Sequence, residues 1–91
     1  MVEIHEGAKQ RLLAAAEELQ VTHASEVAVS TSRLLNPLLD IWSIATELGP
    51  QVAAPVEELL TVYAGPRDLA SPAELEELVE RLRTASDLAM V

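Results

Sequence analysis

The sequence predicts an all-α fold: a compact bundle of four to five helices with short loops, forming one domain over residues 1–91. Apolar residues recur at spacings of three and four, the period of an α-helix, along most of the chain. They are chiefly Leu, Ala and Val, and only 2% of the residues are aromatic, a composition that suits closely packed helices. Apart from residues 27–29, no segment shows the alternating pattern of a strand.

The last helix has the clearest boundaries. Ser71 is followed by Pro72, and Glu74 comes three residues after the serine, which is the pattern of a capping box with proline at the first helical position. We expect the Ser71 hydroxyl to accept from the backbone N–H of Glu74, while the Glu74 side chain reaches back. The apolar residues that follow share one stripe: Leu75, Leu78, Leu82, Ala85 and Ala89. A helix is therefore predicted over residues 72–89.

The preceding helix lies between two glycine–proline pairs. Its apolar residues have helical spacing: Val56, Leu59, Leu60 and Tyr63. Gly65 and Pro66 end it. Because proline costs about 3 kcal/mol inside a helix but little in the first turn, we expect the helix to begin between Gln51 and Pro55.

A further helix is predicted to begin at Asn36 and Pro37 and to end at Leu48. Its apolar residues form two stripes instead of one. The first stripe consists of Leu34, Leu38, Ile41, Ala45 and Leu48, and the second of Leu35, Leu39 and Trp42. A helix at the edge of a domain needs a stripe only about 100° wide. The second stripe is therefore a candidate interaction surface with Trp42 as its anchor, and packing of Trp42 in the core is the alternative.

The N-terminal third allows two interpretations. Ile4, Ala8, Leu12, Ala16 and Leu19 form one helical stripe. The residues after Gln20 are rich in Ser, Thr and Val, which lower helix propensity by only tenths of a kcal/mol each. Either one helix spans about residues 3–35, or the helix breaks near residues 20–25 and Thr22 or Ser25 caps a second one.

Composition and charge exclude several classes of function. A hydrophobic fraction of 49% is too high for a disordered segment. The net charge of −9 argues against direct binding to nucleic acid or to an anionic membrane, since both depend on Lys and Arg. The chain contains no Cys and no apolar run long enough to span a bilayer. We expect a cytoplasmic protein.

No catalytic or cofactor-binding motif is present, so we expect neither an enzyme nor a cofactor. Without Cys, only His5 and His23 could supply an imidazole, and no serine lies in a nucleophile elbow. His23 and Glu26 are three residues apart, but a helical metal site usually needs a second such pair. We therefore expect His23 to pack along the apolar stripe, with its ring nitrogens bonded to backbone or water, and no metal to bind.

Two short resemblances do not lead to a family. Residues 7–19 resemble the first helix of tetracycline-repressor-type regulators, but the glycine turn and the basic, aromatic recognition helix do not follow. The length of the chain and Trp42 resemble the small helical-hairpin secretion substrates. Their Trp-x-Gly turn is here Trp42, Ser43 and Ile44, which lacks the glycine.

The sequence best fits a non-catalytic helical interaction module that forms a homodimer or serves as a small subunit of a larger complex. The first alternative is an acidic inhibitor or antitoxin-like protein, because seven acidic residues and one basic residue lie between Glu57 and Glu80. The second alternative is a carrier of a small apolar ligand bound between the helices.

Overall fold

The computed structural model describes residues 2–89, with side chains from Gly7 onward, and in this range it contains four helices and two short strands. The all-α bundle is confirmed. The elements, in order, are α1 (Val2–His23), β1 (Val29–Ser30), α2 (Thr31–Leu48), α3 (Pro50–Ala64), β2 (Leu69–Ala70) and α4 (Pro72–Ala89).

The helices pack as a closed ring. Each packs against the helix that follows it, and α4 returns to pack against α1. The predicted stripes form the core: Ala8, Leu12, Ala16 and Leu19 of α1, the first stripe of α2, and Leu75, Leu78 and Leu82 of α4 are all buried. Ile4 of the predicted α1 stripe lies outside the side chains described. No helix in the described range is both long and apolar enough to cross a membrane.

A two-residue antiparallel ribbon joins the two long loops. Val29 pairs with Ala70, and Ser30 pairs with Leu69. The backbone N–H of Thr31 donates to the Asp68 carbonyl at 2.9 Å. The Thr31 hydroxyl donates to the carbonyl of Arg67, also at 2.9 Å. The chain between the helices is therefore fixed by partners far away in the sequence.

The N-terminal third forms two helices, so the single helix over residues 3–35 is wrong. The break follows His23, within the region that the second interpretation allowed, but neither Thr22 nor Ser25 caps α2. Thr22 lies inside α1, where its hydroxyl donates to the Glu18 carbonyl at 2.7 Å. Ser30, in an extended conformation, precedes α2. The ribbon accounts for this, because pairing holds residues 29 and 30 extended.

Two helix starts differ from the prediction. Helix α2 begins at Thr31, five residues before Asn36, so Pro37 lies inside it. Helix α3 begins at Pro50, which takes the first-turn position expected of Pro55, and Pro55 is buried in the second turn. Each internal proline removes one hydrogen bond early in its helix. The contacts of Thr31 and the break at Gly49 determine where the helices begin.

Helix α4 confirms the predicted span, and half of the predicted cap. The Ser71 N–H donates to Glu74 Oε2 at 2.8 Å, as a capping box requires. The Glu74 N–H donates to the Ser71 backbone carbonyl at 3.0 Å, instead of to its hydroxyl. Gly49, with φ of 138°, allows the sharp turn between α2 and α3, a conformation that side chains other than glycine's rarely adopt.

Candidate functional site

The outer surface where α2 meets α3 holds the candidate residues. Leu39, Trp42, Glu57, Leu60 and Thr61 line a shallow groove of about 400 Å³ between the two helices. We call these five residues the α2–α3 face. Leu39 is 49% exposed although it lies in the middle of α2, whereas Trp42 and Leu60 are half-buried against the core. The face therefore combines a partly buried aromatic residue with an aliphatic side chain that the described chain leaves half-exposed.

Trp42 is held in place by a hydrogen bond across the groove. Its indole Nε1–H donates to Glu57 Oε1 at 3.0 Å. A Trp N–H usually finds a partner when its ring is partly buried, and here a carboxylate on the neighbouring helix supplies it. The hydrogen bond therefore links α2 to α3 across the groove, at a residue that also packs against the core.

Leu35 does not belong to this groove. The structure brings Leu39 and Trp42 of the predicted second stripe together, but Leu35 is half-buried and packs against the core one turn earlier. Of the three predicted interaction residues, two line the groove.

Sequence reasoning did not assign Glu57, Leu60 and Thr61 to the face. From the sequence, Leu60 belongs to the apolar stripe of its own helix, and Glu57 belongs to the acidic stretch between Glu57 and Glu80. One signal was available: a half-exposed tryptophan needs a hydrogen-bond acceptor, and a carboxylate in a helix packed alongside can provide one. Identifying which carboxylate requires the packing of α2 on α3.

Every basic side chain of the described residues is ion-paired, whereas many acidic side chains are not. All six Lys and Arg residues form ion pairs. The pairs are Lys9–Asp87, Arg11–Glu47, Arg33–Glu26, Arg67–Glu74, Arg81–Glu58 and Arg83 with both Glu17 and Glu80. Several exposed carboxylates form no ion pair with another described residue: Glu18, Asp40, Glu57, Asp68, Glu76 and Glu77. The excess negative charge of the described residues therefore lies on exposed carboxylates without a cation beside them.

His23 is buried at the end of α1, as the sequence predicted, but its ring bonds to a carboxylate and not to backbone or water. Its Nδ1 bonds to Glu26 Oε2, and Arg33 Nη1 lies 3.4 Å from the other oxygen of the same carboxylate. The hydrogen bond from His23 and the charge of Arg33 lower the pKa of Glu26 below its usual value. In the described range, no group of three or more His, Cys, Asp and Glu side chains could hold a metal ion. His5 lies outside the side chains described.

A second polar cluster lies on the loop between α3 and α4. Tyr63 is buried, and its hydroxyl donates to Glu74 Oε1 at 3.3 Å. Burial, together with the charge of Glu74, raises the pKa of Tyr63 to about 12. Burial alone would raise the pKa of Glu74, but the Ser71 N–H and the Arg67 guanidinium lower it below the usual value.

A further groove, of about 300 Å³, lies between α1 and α2. Its lining combines apolar residues with two carboxylates: Ala15, Glu18, Leu19, Thr22, His23, Pro37, Asp40 and Ile41. Glu18 and Asp40 place two carboxylates at this otherwise largely apolar groove.

Comparisons of the chain with protein-family models, with curated proteins and with solved structures found no match.

Proposed function

We propose that this protein is a non-catalytic helical module that associates with itself through the α2–α3 face. One observation supports this most: Leu39, a large aliphatic side chain in the middle of a helix, is 49% exposed beside a tryptophan whose ring is fixed. Tryptophan is enriched among the residues that contribute most to binding, and aliphatic neighbours exclude water around it.

A second copy of the chain is a suitable occupant, because a twofold contact brings the same surface of each subunit together. In such a dimer Leu39 of one subunit would lie near the Trp42 groove of the other. The groove is shallow and mostly apolar, which suits an aliphatic side chain better than a charged one.

The test is the solution mass of Leu39→Glu. Light scattering across a concentration series should show the wild-type protein approaching twice its 9.8 kDa mass. The Leu39→Glu variant should remain monomeric, because the new carboxylate would be buried without a partner at the contact. Leu39 is half-exposed in the monomer, so the substitution leaves the core intact.

The matched control is Leu88→Glu, which places the same charge on an exposed leucine of α4, far along the chain from the face. Leu88 is 69% exposed, and we expect this variant to associate as the wild type does. A wild-type protein that stays monomeric at every concentration would contradict self-association. So would a folded Leu39→Glu variant with the wild-type mass.

A second candidate function is the binding of a basic surface on another protein. It is supported by the ion pairing of every Lys and Arg side chain. Six exposed carboxylates then have no cation among the described residues: Glu18, Asp40, Glu57, Asp68, Glu76 and Glu77. Binding of this kind depends on long-range attraction, so sodium chloride should release the partner. Binding that is unchanged by salt would rule it out.

A further inference from the structure

The chain consists of two helix–loop–helix units, α1 with α2 and α3 with α4, whose loops pair with each other in the ribbon. Helix α1 ends six residues before Val29, and α3 ends six residues before Ala70. Helices α2 and α4 each begin two residues after these same positions. Val29 and Ala70 face each other in the ribbon, as equivalent residues do on a twofold axis. The two halves therefore share one backbone plan, although their sequences show no repeat.

The equivalence extends to the ion pairs of the loops, with the charges exchanged. Glu26 lies three residues before Val29, and Arg67 lies three residues before Ala70. The partners, Arg33 and Glu74, each lie four residues after the ribbon position. In both units a guanidinium and a carboxylate join the loop to the first turn of the following helix.

In the second unit, the guanidinium of Arg67 binds two oxygen atoms. Its Nε–H donates to the Leu69 carbonyl at 2.9 Å, and its Nη2 binds Glu74 Oε2. The other Glu74 oxygen accepts the Tyr63 hydroxyl, and the Tyr63 ring centroid is 5.7 Å from the guanidinium carbon. The same cation therefore contacts a backbone carbonyl, a carboxylate and an aromatic ring.

Two of these oxygens occupy the sequence positions of calcium ligands. An EF-hand places a twelve-residue loop between two helices, with a backbone carbonyl ligand at position seven and a bidentate Glu at position twelve. Counted back from Glu74 as the twelfth residue, Leu69 is the seventh.

The remaining positions do not fit calcium. Acidic residues are expected at positions one, three and five, where this loop has Tyr63, Gly65 and Arg67, and the glycine expected at position six is Asp68. A guanidinium supplied by position five would also repel the ion. The loop thus has two of the oxygen ligands of a calcium site, and the guanidinium of Arg67 supplies the positive charge.

We propose that the guanidinium of Arg67 takes the place of a metal ion in this loop. It binds both the Leu69 carbonyl and the Glu74 carboxylate, so it holds the loop against the first turn of α4 without a metal ion. The domain then needs no metal to fold, and removing the positive charge leaves a site that a metal cation can enter. This site lies outside the α2–α3 face.

The test compares Arg67→Gln with Arg81→Gln, using Tb³⁺ as the probe. Arg81 binds Glu58 at 2.5 Å on the exposed surface without a backbone carbonyl, so its removal also frees one carboxylate. Tyr63, the single tyrosine, lies beside Glu74 and should sensitise Tb³⁺ emission from the loop. All three proteins carry Trp42→Phe, because Trp42 also sensitises Tb³⁺ and lies beside Glu57, the neighbour of Glu58. Against this background we expect Arg67→Gln to emit with half-saturation at about 10⁻⁴–10⁻³ M, the range of weak calcium sites, while the parent protein and Arg81→Gln stay dark.

Emission from Arg67→Gln that is no stronger than from Arg81→Gln would overturn the proposal, as would equal emission from the parent protein. If Arg67→Gln does not fold without Tb³⁺, its helix content is followed by circular dichroism as Tb³⁺ is added. Refolding on addition of Tb³⁺ supports the proposal, and an unfolded chain at saturating Tb³⁺ contradicts it. Arg67→Lys keeps a cation and should remain folded and dark.

Discussion

The proton of Tyr63 makes folding depend on pH in the alkaline range. Burial and the nearby charge of Glu74 raise the pKa of Tyr63 to about 12 in the folded protein, against about 10 for an unfolded chain. A raised pKa stabilises the folded state fully below the unfolded value, and this stabilisation is lost as the pH rises from about 10 to about 12.

Replacing Tyr63 with Phe should therefore flatten this dependence. We expect the melting temperature of the wild type to fall more steeply than that of Tyr63→Phe between about pH 9 and 12, because only the wild type carries the phenol. At neutral pH the variant should lose only the stabilisation from one hydrogen bond, about 1 kcal/mol. Parallel curves for the two proteins would show that the phenol is not the titrating group.

At the scale of single residues, the sequence predicts local contacts and misses those made across the fold. The bond from Ser71 to Glu74 spans three residues and follows from the capping pattern alone. The bond from Trp42 to Glu57 crosses between two helices, so no local pattern specifies it. The Arg67 cluster was missed for a different reason: the loop has no recognisable motif, and Arg67, Leu69 and Glu74 meet only through the turn of the chain.

At the scale of the helices, Pro37 lies inside α2 and should lower the free energy of unfolding by a measurable amount. Proline has no N–H to donate to the Arg33 carbonyl, and its ring crowds that carbonyl. We expect Pro37→Ala to stabilise the protein by about 1 kcal/mol, or about 4–8 °C in melting temperature, because the regained bond outweighs the greater entropy of the unfolded chain.

The control for this substitution is Pro50→Ala. Pro50 is the first residue of α3, where the backbone N–H would have no helical partner, so we expect little change. If Pro37→Ala also leaves the melting temperature unchanged, or lowers it, the helix around Pro37 is not strained.

Helix boundaries were predicted where a local signal acts alone. Ser71 and Pro72 begin α4 as the sequence indicates, because the capping signal comes directly after the ribbon residue Ala70 and so coincides with the end of the paired segment. Asn36 and Pro37 form an equally good local signal, yet α2 begins earlier. Hydrogen bonds from Thr31 to Asp68 and Arg67 fix the start, and the strength of such long-range contacts cannot be read from the residues near Asn36.

At the scale of the whole molecule, apolar periodicity predicted the fold class and most of the core. The described residues of the α1 stripe, the first stripe of α2 and the leucines of the α4 stripe are buried as expected, whereas Ala85 and Ala89 are only partly buried. The closed ring and its relation to the ribbon were not predicted. Two residues in each strand are too few to give a period, so the pairing of Val29 with Ala70 had no sequence signal.

Net charge gives a further prediction about association. The chain has a net charge of −9, and Glu57 lies in the α2–α3 face, so two copies repel one another as they approach. Salt screens this repulsion, with a Debye length of about 10 Å at 0.1 M and about 3 Å at 1 M. We therefore expect sodium chloride to strengthen self-association, whereas it should weaken the binding of a basic partner.

The measurement is the dimer dissociation constant by analytical ultracentrifugation at several salt concentrations. Glu57→Gln removes one negative charge from each face and keeps a side-chain oxygen that can accept the Trp42 N–H. This variant should dimerise more tightly than the wild type in low salt, and the difference should shrink in high salt. Since Glu77 on α4 also forms no ion pair with a described residue, Glu77→Gln makes the same change in net charge away from the face. An equal effect of the two variants would mean that net charge alone governs association and that the α2–α3 face is not the contact.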